Sequence, residues 1–122
     1  MRILVVEDEP ACMKLAHVVL AADGHEVAGA GAVDSAIAEI ARSEPEVILL
    51  DLELPHINGL DLARKLKRDP ATRHIVIIAV TAYPERFPRE KAIAAGCDAY
   101  IVKPIDTRRL NDQVTSVTDK LR

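Results

Sequence analysis

Aromatic residues are scarce in this chain: two tyrosines, one phenylalanine and no tryptophan among 122 residues. Tyr83, Phe87 and Tyr100 cannot fill a core, so the core must be aliphatic, built from Ile, Val, Leu and Ala. A basic stripe is also missing. The net charge is -3 with both signs interspersed, which argues against nucleic acid as a direct partner. No apolar run approaches the ~20 residues of a membrane span, and no signal peptide or lipidation motif opens the chain. A soluble, cytoplasmic protein without membrane association is expected. Cysteine is rare, and Cys12 and Cys97 lack metal-ligand spacing. Both are expected to be buried free thiols in a reducing compartment.

What the chain does have is an apolar content of 49%, enough for a core without staples. Residues 1–122 are expected to form one domain, and Met1 with a short tail favours a complete chain. Strand and helix signals alternate five times. Residues 2–6 form a short β-branched run ending at Glu7 and Asp8, and Pro10 suits the first turn of a helix capped by Asp8 or Glu9. That helix runs to about residue 22, with Cys12, Leu15, Ala16 and Val19 on one face. Asp23 and Gly24 end it. Residues 25–30 form a weaker strand of edge character. Helix 2, over 33–43, carries Val33, Ala36, Ile37, Ile40 and Ala41 at helical spacing.

Residues 47–50 form a continuous apolar run that reaches Asp51, the pattern of a strand buried on both faces. Asn58 is expected to cap helix 3, with Asp61 reciprocating. That helix presents Leu62, Ala63 and Leu66. A further central strand covers 74–80 and ends at Thr81. Two prolines, Pro84 and Pro88, delay helix 4, which is expected over 88–96. The last strand, 98–102, ends at Lys103 and Pro104. Asp106 is expected to cap helix 5, with a stripe of Leu110, Val114, Val117 and Leu121. Such alternation with short loops predicts an α/β fold, a parallel sheet with helices on both faces.

Five chemistry-bearing positions fall at carboxyl ends of these strands: Glu7, Asp8, Asp51, Thr81 and Lys103. Open α/β sheets hold their ligands along that edge. Three converging carboxylates repel unless compensated. A divalent cation with oxygen preference resolves the repulsion, and Mg²⁺ suits so few protein ligands. Lys103 adds positive charge and Thr81 a hydroxyl donor. The set suits a phosphoryl group on or near Asp51.

In these residues the chain resembles the receiver domains of two-component response regulators. The likeness runs through Val6-Glu7-Asp8, Asp51 with Pro55 and Gly59, Thr81-Ala82, residues 96–100, and Lys103-Pro104. It is similar in length to single-domain members, the chemotaxis and cell-division receivers. The resemblance implies a flavodoxin-like, five-stranded parallel sheet in the order 2-1-3-4-5, an order given for the chemotaxis receiver. It implies that Asp51 accepts phosphate from a phosphohistidine on a sensor histidine kinase or histidine phosphotransfer protein. Asp8 would hold Mg²⁺ directly, Glu7 through water, together with Asp51 and the backbone carbonyl of Glu53. Thr81, Ala82 and Lys103 would bind the phosphoryl oxygens, and the Lys103–Pro104 bond would be cis. Thr81 and Tyr100 would form a switch pair, with the signal passed by the strand 4–helix 4–strand 5–helix 5 face to a downstream regulatory protein.

Glu53 and Tyr83 occupy positions that tune phosphate lifetime in such domains. The loop with Pro84 and Pro88, which carries Phe87, is expected to be stiffer and longer and to determine partner choice. The four histidines read as surface or satisfied groups, with His56 the one able to lie near the site. An aspartyl-phosphate hydrolase would set a second Asp where Glu53 stands, and there is no room for a cap domain. A flavin module would need a Ser/Thr/Gly-rich loop after strand 1. The remaining alternative is a phosphorylation-independent adaptor. A receiver catalyses only its own phosphorylation and dephosphorylation, so the chain is not expected to be an enzyme in the ordinary sense.

Overall fold

The computed structural model describes residues 1–55 and 58–121. His56, singled out above, lies outside the described residues. Five strands and five helices alternate: β1 (Arg2–Val6), α1 (Pro10–Ala22), β2 (Glu26–Ala30), α2 (Val33–Arg42), β3 (Val47–Asp51), α3 (Gly59–Arg68), β4 (Val76–Thr81), α4 (Arg89–Ala94), β5 (Ala99–Val102) and α5 (Leu110–Lys120). The strands form one parallel sheet in the order β2-β1-β3-β4-β5. β3 is central and every one of its residues is buried, which explains why it reads as an unbroken apolar run.

Alternation along the strands divides the core in two. Leu4, Val6, Ile48, Leu50, Ile77 and Ala79 face one side, packed with Ala36 and Ile40 of α2, Leu62, Ala63 and Leu66 of α3, and Ala92 of α4. Ile3, Val5, Val47, Leu49, Ile78 and Val80 face the other, with Ala16 and Leu20 of α1 and Leu110 and Val114 of α5. Both layers are aliphatic, as the shortage of aromatics requires.

The helix ends follow local chemistry. Glu9, not Asp8, caps α1: its carboxylate accepts from the N–H groups of Ala11 and Cys12 at 3.1 and 2.8 Å. Gly24 follows α1 with φ +89°, a conformation open to glycine at no steric cost. Asn58 caps α3 by accepting from Leu60 N–H at 2.8 Å. Asp61 does not complete the box but pairs with Arg64 at 2.8 Å. It is a methylene shorter than the Glu that usually reaches back.

Other expectations need correction. Asp106 closes a turn ahead of α5, its side chain accepting from Arg108 N–H and its carbonyl from Arg109 and Leu110, so the helix opens at Leu110. The buried line of α5 is Leu110, Val114 and Thr118, while Leu121 is exposed. Helical spacing alone would set position 121 on the face of Leu110 and Val114, but α5 ends at Lys120, so Leu121 lies past the packed helix and is left to solvent. In α1 the buried line is Ala16 and Leu20, which leaves Leu15 outside and Cys12 half-buried. Only Cys97 is a fully buried thiol.

Candidate functional site

Backbone bonds carry the ladder one residue past several strands and so set out the site. Glu7 N–H donates to Ala30 O at 2.9 Å, Leu52 N–H to Val80 O at 3.0 Å, and Lys103 N–H to Thr81 O at 2.8 Å. Asp51 is thereby held between the ends of β1 and β4. It is 4% exposed, Glu7 6% and Thr81 0%. Asp8 and Ala82 are exposed beside them, and Glu53 is half-buried. The β3–α3 loop is pinned by Leu52 and Leu54 in the core. Gly59 N–H returns to Leu52 O at 3.2 Å. A Cβ on Gly59 would stand 2.7 Å from Asp51 O and 2.9 Å from Leu52 Cα, so the start of α3 lies against the backbone of the site.

The buried carboxylates have few cationic partners. Lys103 Nζ lies 2.6 Å from Glu7 Oε1 and 3.4 Å from Asp51 Oδ2. Glu7 Oε2 accepts from Glu9 N–H at 3.1 Å, and Asp51 Oδ1 from Glu53 N–H at 3.0 Å. Burial, and then the hydrogen bond shared with Asp51, push the Glu7 carboxyl up to about 7, against the pull of Lys103. Burial alone would lower the Lys103 ammonium, but its hydrogen bond to Glu7 and the charge of Asp51 outweigh this and raise it. Glu7, Asp8 and Asp51 each offer an oxygen within 4.8 Å of one another. Three carboxylates grouped this closely form an all-oxygen donor set that fits a hard divalent cation of the Mg²⁺ type.

The side chain of Glu53 had no assigned place in the sequence. It reaches across to β4, where Oε1 accepts from Ala82 N–H at 2.9 Å. Its Oε2 is buried without a hydrogen-bond partner. Burial raises the Glu53 carboxyl, while the Ala82 N–H and the neighbouring Thr81 hydroxyl draw it back. Thr81 Oγ1 accepts from Tyr83 N–H at 2.9 Å. Residues 83–87 then make one compact turn, with Arg86 and Phe87 N–H groups both on Tyr83 O at 3.0 Å.

Phe87 packs against the core from this loop, whereas Tyr83 is 47% exposed. Of the two aromatics in this turn, Tyr83 is therefore the exposed one and Phe87 the packed one. Arg86 lies over both rings, 5.8 Å from each centroid. Tyr100, on β5, is half-buried and donates from its hydroxyl to the Phe87 carbonyl. The Lys103–Pro104 peptide is cis. Of the described histidines, His25 bridges the N-terminal ammonium and Asn111, His74 pairs with Glu44, and His17 is exposed.

Residues 3–115 match the model of the response regulator receiver domain family. The chain is 40% identical over 117 residues to the response regulator PleD of Caulobacter vibrioides, covering 96% of this chain and 26% of that protein. It therefore spans about a quarter of PleD. It is 35% identical over 114 residues to the polar-differentiation response regulator DivK of Brucella ovis, covering 93% of each. Among solved structures, a CheY-like receiver domain protein from Methanospirillum hungatei superposes with a TM-score of 0.89 at 29% identity, covering 98% of this chain and 94% of that one. The receiver domain of the sensor histidine kinase PA1611 from Pseudomonas aeruginosa, solved with magnesium coordinated in its active-site cleft, superposes with a TM-score of 0.84 at 28% identity, covering 94% of each.

Proposed function

The chain belongs to the response regulator receiver domain family, and from that premise we propose that residues 1–122 act as one receiver whose Asp51 accepts a phosphoryl group from a phosphohistidine. The donor is a sensor histidine kinase or a histidine phosphotransfer protein. The observation that carries this is Asp51 itself. It is a buried carboxylate at the end of the central strand, with Lys103 3.4 Å away and Thr81 and Ala82 at the adjoining strand end.

An Asp51 oxygen attacks phosphorus, and the bond from phosphorus to the donor's imidazole nitrogen breaks. That nitrogen keeps the electron pair, and an acyl phosphate remains on Asp51. Lys103 and the Thr81 and Ala82 donors face the phosphoryl oxygens and stabilise the charge gathered there. Glu7, Asp8, Asp51 and the Glu53 carbonyl would hold a divalent cation such as Mg²⁺, which would supply further positive charge at the site. The magnesium in the PA1611 receiver supports this part of the proposal.

The phosphoryl group brings about -1.5 to -2 charge and three acceptor oxygens. If the Thr81 hydroxyl turns to it, the Tyr83 N–H loses its acceptor. The 83–87 turn is then freed at Tyr83, and Tyr100 is fastened to its other end through the Phe87 carbonyl. This links Thr81 to Tyr100 and to the face formed by β4, α4, β5 and α5, which a downstream regulatory protein reads. Moving such an equilibrium from mostly inactive to mostly active takes about 5 kcal/mol, within reach of a few charge-assisted hydrogen bonds. The protein catalyses only its own phosphorylation and dephosphorylation.

Intact mass after incubation with Mg²⁺ and a small phosphodonor tests the proposal. The wild type should gain one phosphate and Asp51→Asn none. No gain with any donor or kinase leaves the phosphorylation-independent adaptor.

A further inference from the structure

We infer that the Glu53 carboxylate is a built-in occupant of the anion-binding donor at the end of β4, and that phosphorylation of Asp51 requires it to leave. The inference rests on the phosphoacceptor reading of Asp51 and assigns the side chain that reading leaves without a role.

Glu53 is tied at both ends of its reach. Its own N–H donates to Asp51 Oδ1 at 3.0 Å, which fixes its backbone beside the acceptor. Its side chain then spans the gap between β3 and β4, so that Oε1 takes the Ala82 N–H at 2.9 Å. That N–H follows fully buried Thr81 and borders the space beside Asp51. A carboxylate is an oxyanion, and here it stands on a donor that a phosphoryl oxygen would use. One N–H directed at one oxygen cannot serve both anions.

The second oxygen shows that the fit is incomplete. Oε2 is buried and has no hydrogen-bond partner, and an unsatisfied buried oxygen of an ionisable group is costly. The seat therefore holds the carboxylate at Oε1 through the Ala82 N–H and penalises it at Oε2. Glu53 is only half-buried, so solvent is within reach of a side-chain rotation. A phosphoryl group, with three oxygens and greater charge, can displace such an occupant.

A competing account is that Glu53 only adds negative charge and repels an anionic phosphodonor. Glu53→Asp separates the two, because it keeps the charge but is one methylene too short to span to Ala82. The rate of phosphate gain from acetyl phosphate and Mg²⁺, followed by intact mass, should rise about tenfold in both Glu53→Ala and Glu53→Asp, with Glu53→Gln between them and the wild type. In the unmodified proteins the Ala82 amide proton should shift upfield in Glu53→Ala and Glu53→Asp, read by ¹⁵N-correlated NMR. A Glu53→Asp rate equal to wild type, equal rates throughout, a slower Glu53→Ala, or an unmoved Ala82 amide each overturns the inference while leaving Asp51 as acceptor. No phosphate on any of the four proteins overturns the phosphoacceptor reading, and this one with it.

Discussion

Lys103 Nζ is bonded to Glu7 Oε1 at 2.6 Å and stands 3.4 Å from Asp51 Oδ2, so its ammonium leans toward the end of β1 and not toward the proposed acceptor. A single lysine balances part of the charge of the mutually repelling Glu7, Asp8 and Asp51, and the Glu7 carboxyl is pushed up to about 7, first by its burial and then by its hydrogen bond with Asp51. A cation entering among the three carboxylates relieves that repulsion and binds only the folded chain.

Mg²⁺ should therefore raise the melting temperature. At ten times its dissociation constant it adds about 1.4 kcal/mol, which is roughly 5–6 °C for a domain of this size. Asp8→Asn removes one of the three carboxylate charges and should lose most of the shift, while an equal concentration of Na⁺ should give none. Scanning calorimetry with and without Mg²⁺ measures this, and an undiminished shift in Asp8→Asn would remove Asp8 from the ligand set.

A second lysine fastens the opposite end of the sheet. Lys67 Nζ donates to Ile75 O at 2.8 Å, to Asp98 Oδ2 at 3.0 Å and to Arg73 O at 3.2 Å, which uses all three ammonium protons. Asp98 in turn accepts from Ile77 N–H at 2.9 Å. The group ties α3 to the starts of β4 and β5. Lys67→Met keeps the apolar stem and removes the donors, so it should cost about 2–3 kcal/mol. Urea unfolding should show this as a lower midpoint at unchanged slope.

These two lysines mark what could be read from residues alone. Lys103 was legible because it ends an apolar run and lies next to a proline. Lys67 reads as one more charge on an amphipathic helix, because its partners at 75 and 98 are brought to it only by the path of the chain. The same division runs through the fold. Periodicity located every strand and helix, and the strand order came with the family resemblance. Periodicity could not say where the buried line of α5 leaves Leu121 outside, since that depends on where the helix ends relative to the sheet. Glu53 and Phe87 were visible as unusual residues, but their directions depend on the width of the β3–β4 gap and on the 83–87 turn. Neither is a local property.

Gly59 offers a sharper test of the site's backbone. A Cβ there would stand 2.7 Å from Asp51 O, a rigid atom that cannot yield as a flexible side chain can. Gly59→Ala should therefore push the start of α3 away from the β3 end and cost about 1–3 kcal/mol, although alanine is the better helix former. Unfolding midpoints of wild type and Gly59→Ala decide it, and a more stable variant would show that α3 does not need this close approach.

The last prediction concerns pH. Burial, and then the charge of Asp98, push the Cys97 thiol up to about 11, against 9.0 when unperturbed. The unfolded chain therefore loses this proton first as pH rises, and between about pH 9 and 11 it binds fewer protons than the folded one. Stability must fall with pH across that window. Two units correspond to about 3 kcal/mol at most, reached near the upper end. Below pH 9 both states keep the proton and the contribution is flat. Cys97→Ala should begin lower, since removing the sulfur leaves a small cavity in the core, but its stability should decline less steeply above pH 9. Urea midpoints in reductant at pH 8, 9, 10 and 11 compare the two proteins, and lysine and tyrosine titration, common to both, cancels in the difference. Parallel curves would mean that the Cys97 thiolate forms as easily in the folded chain as in the unfolded one.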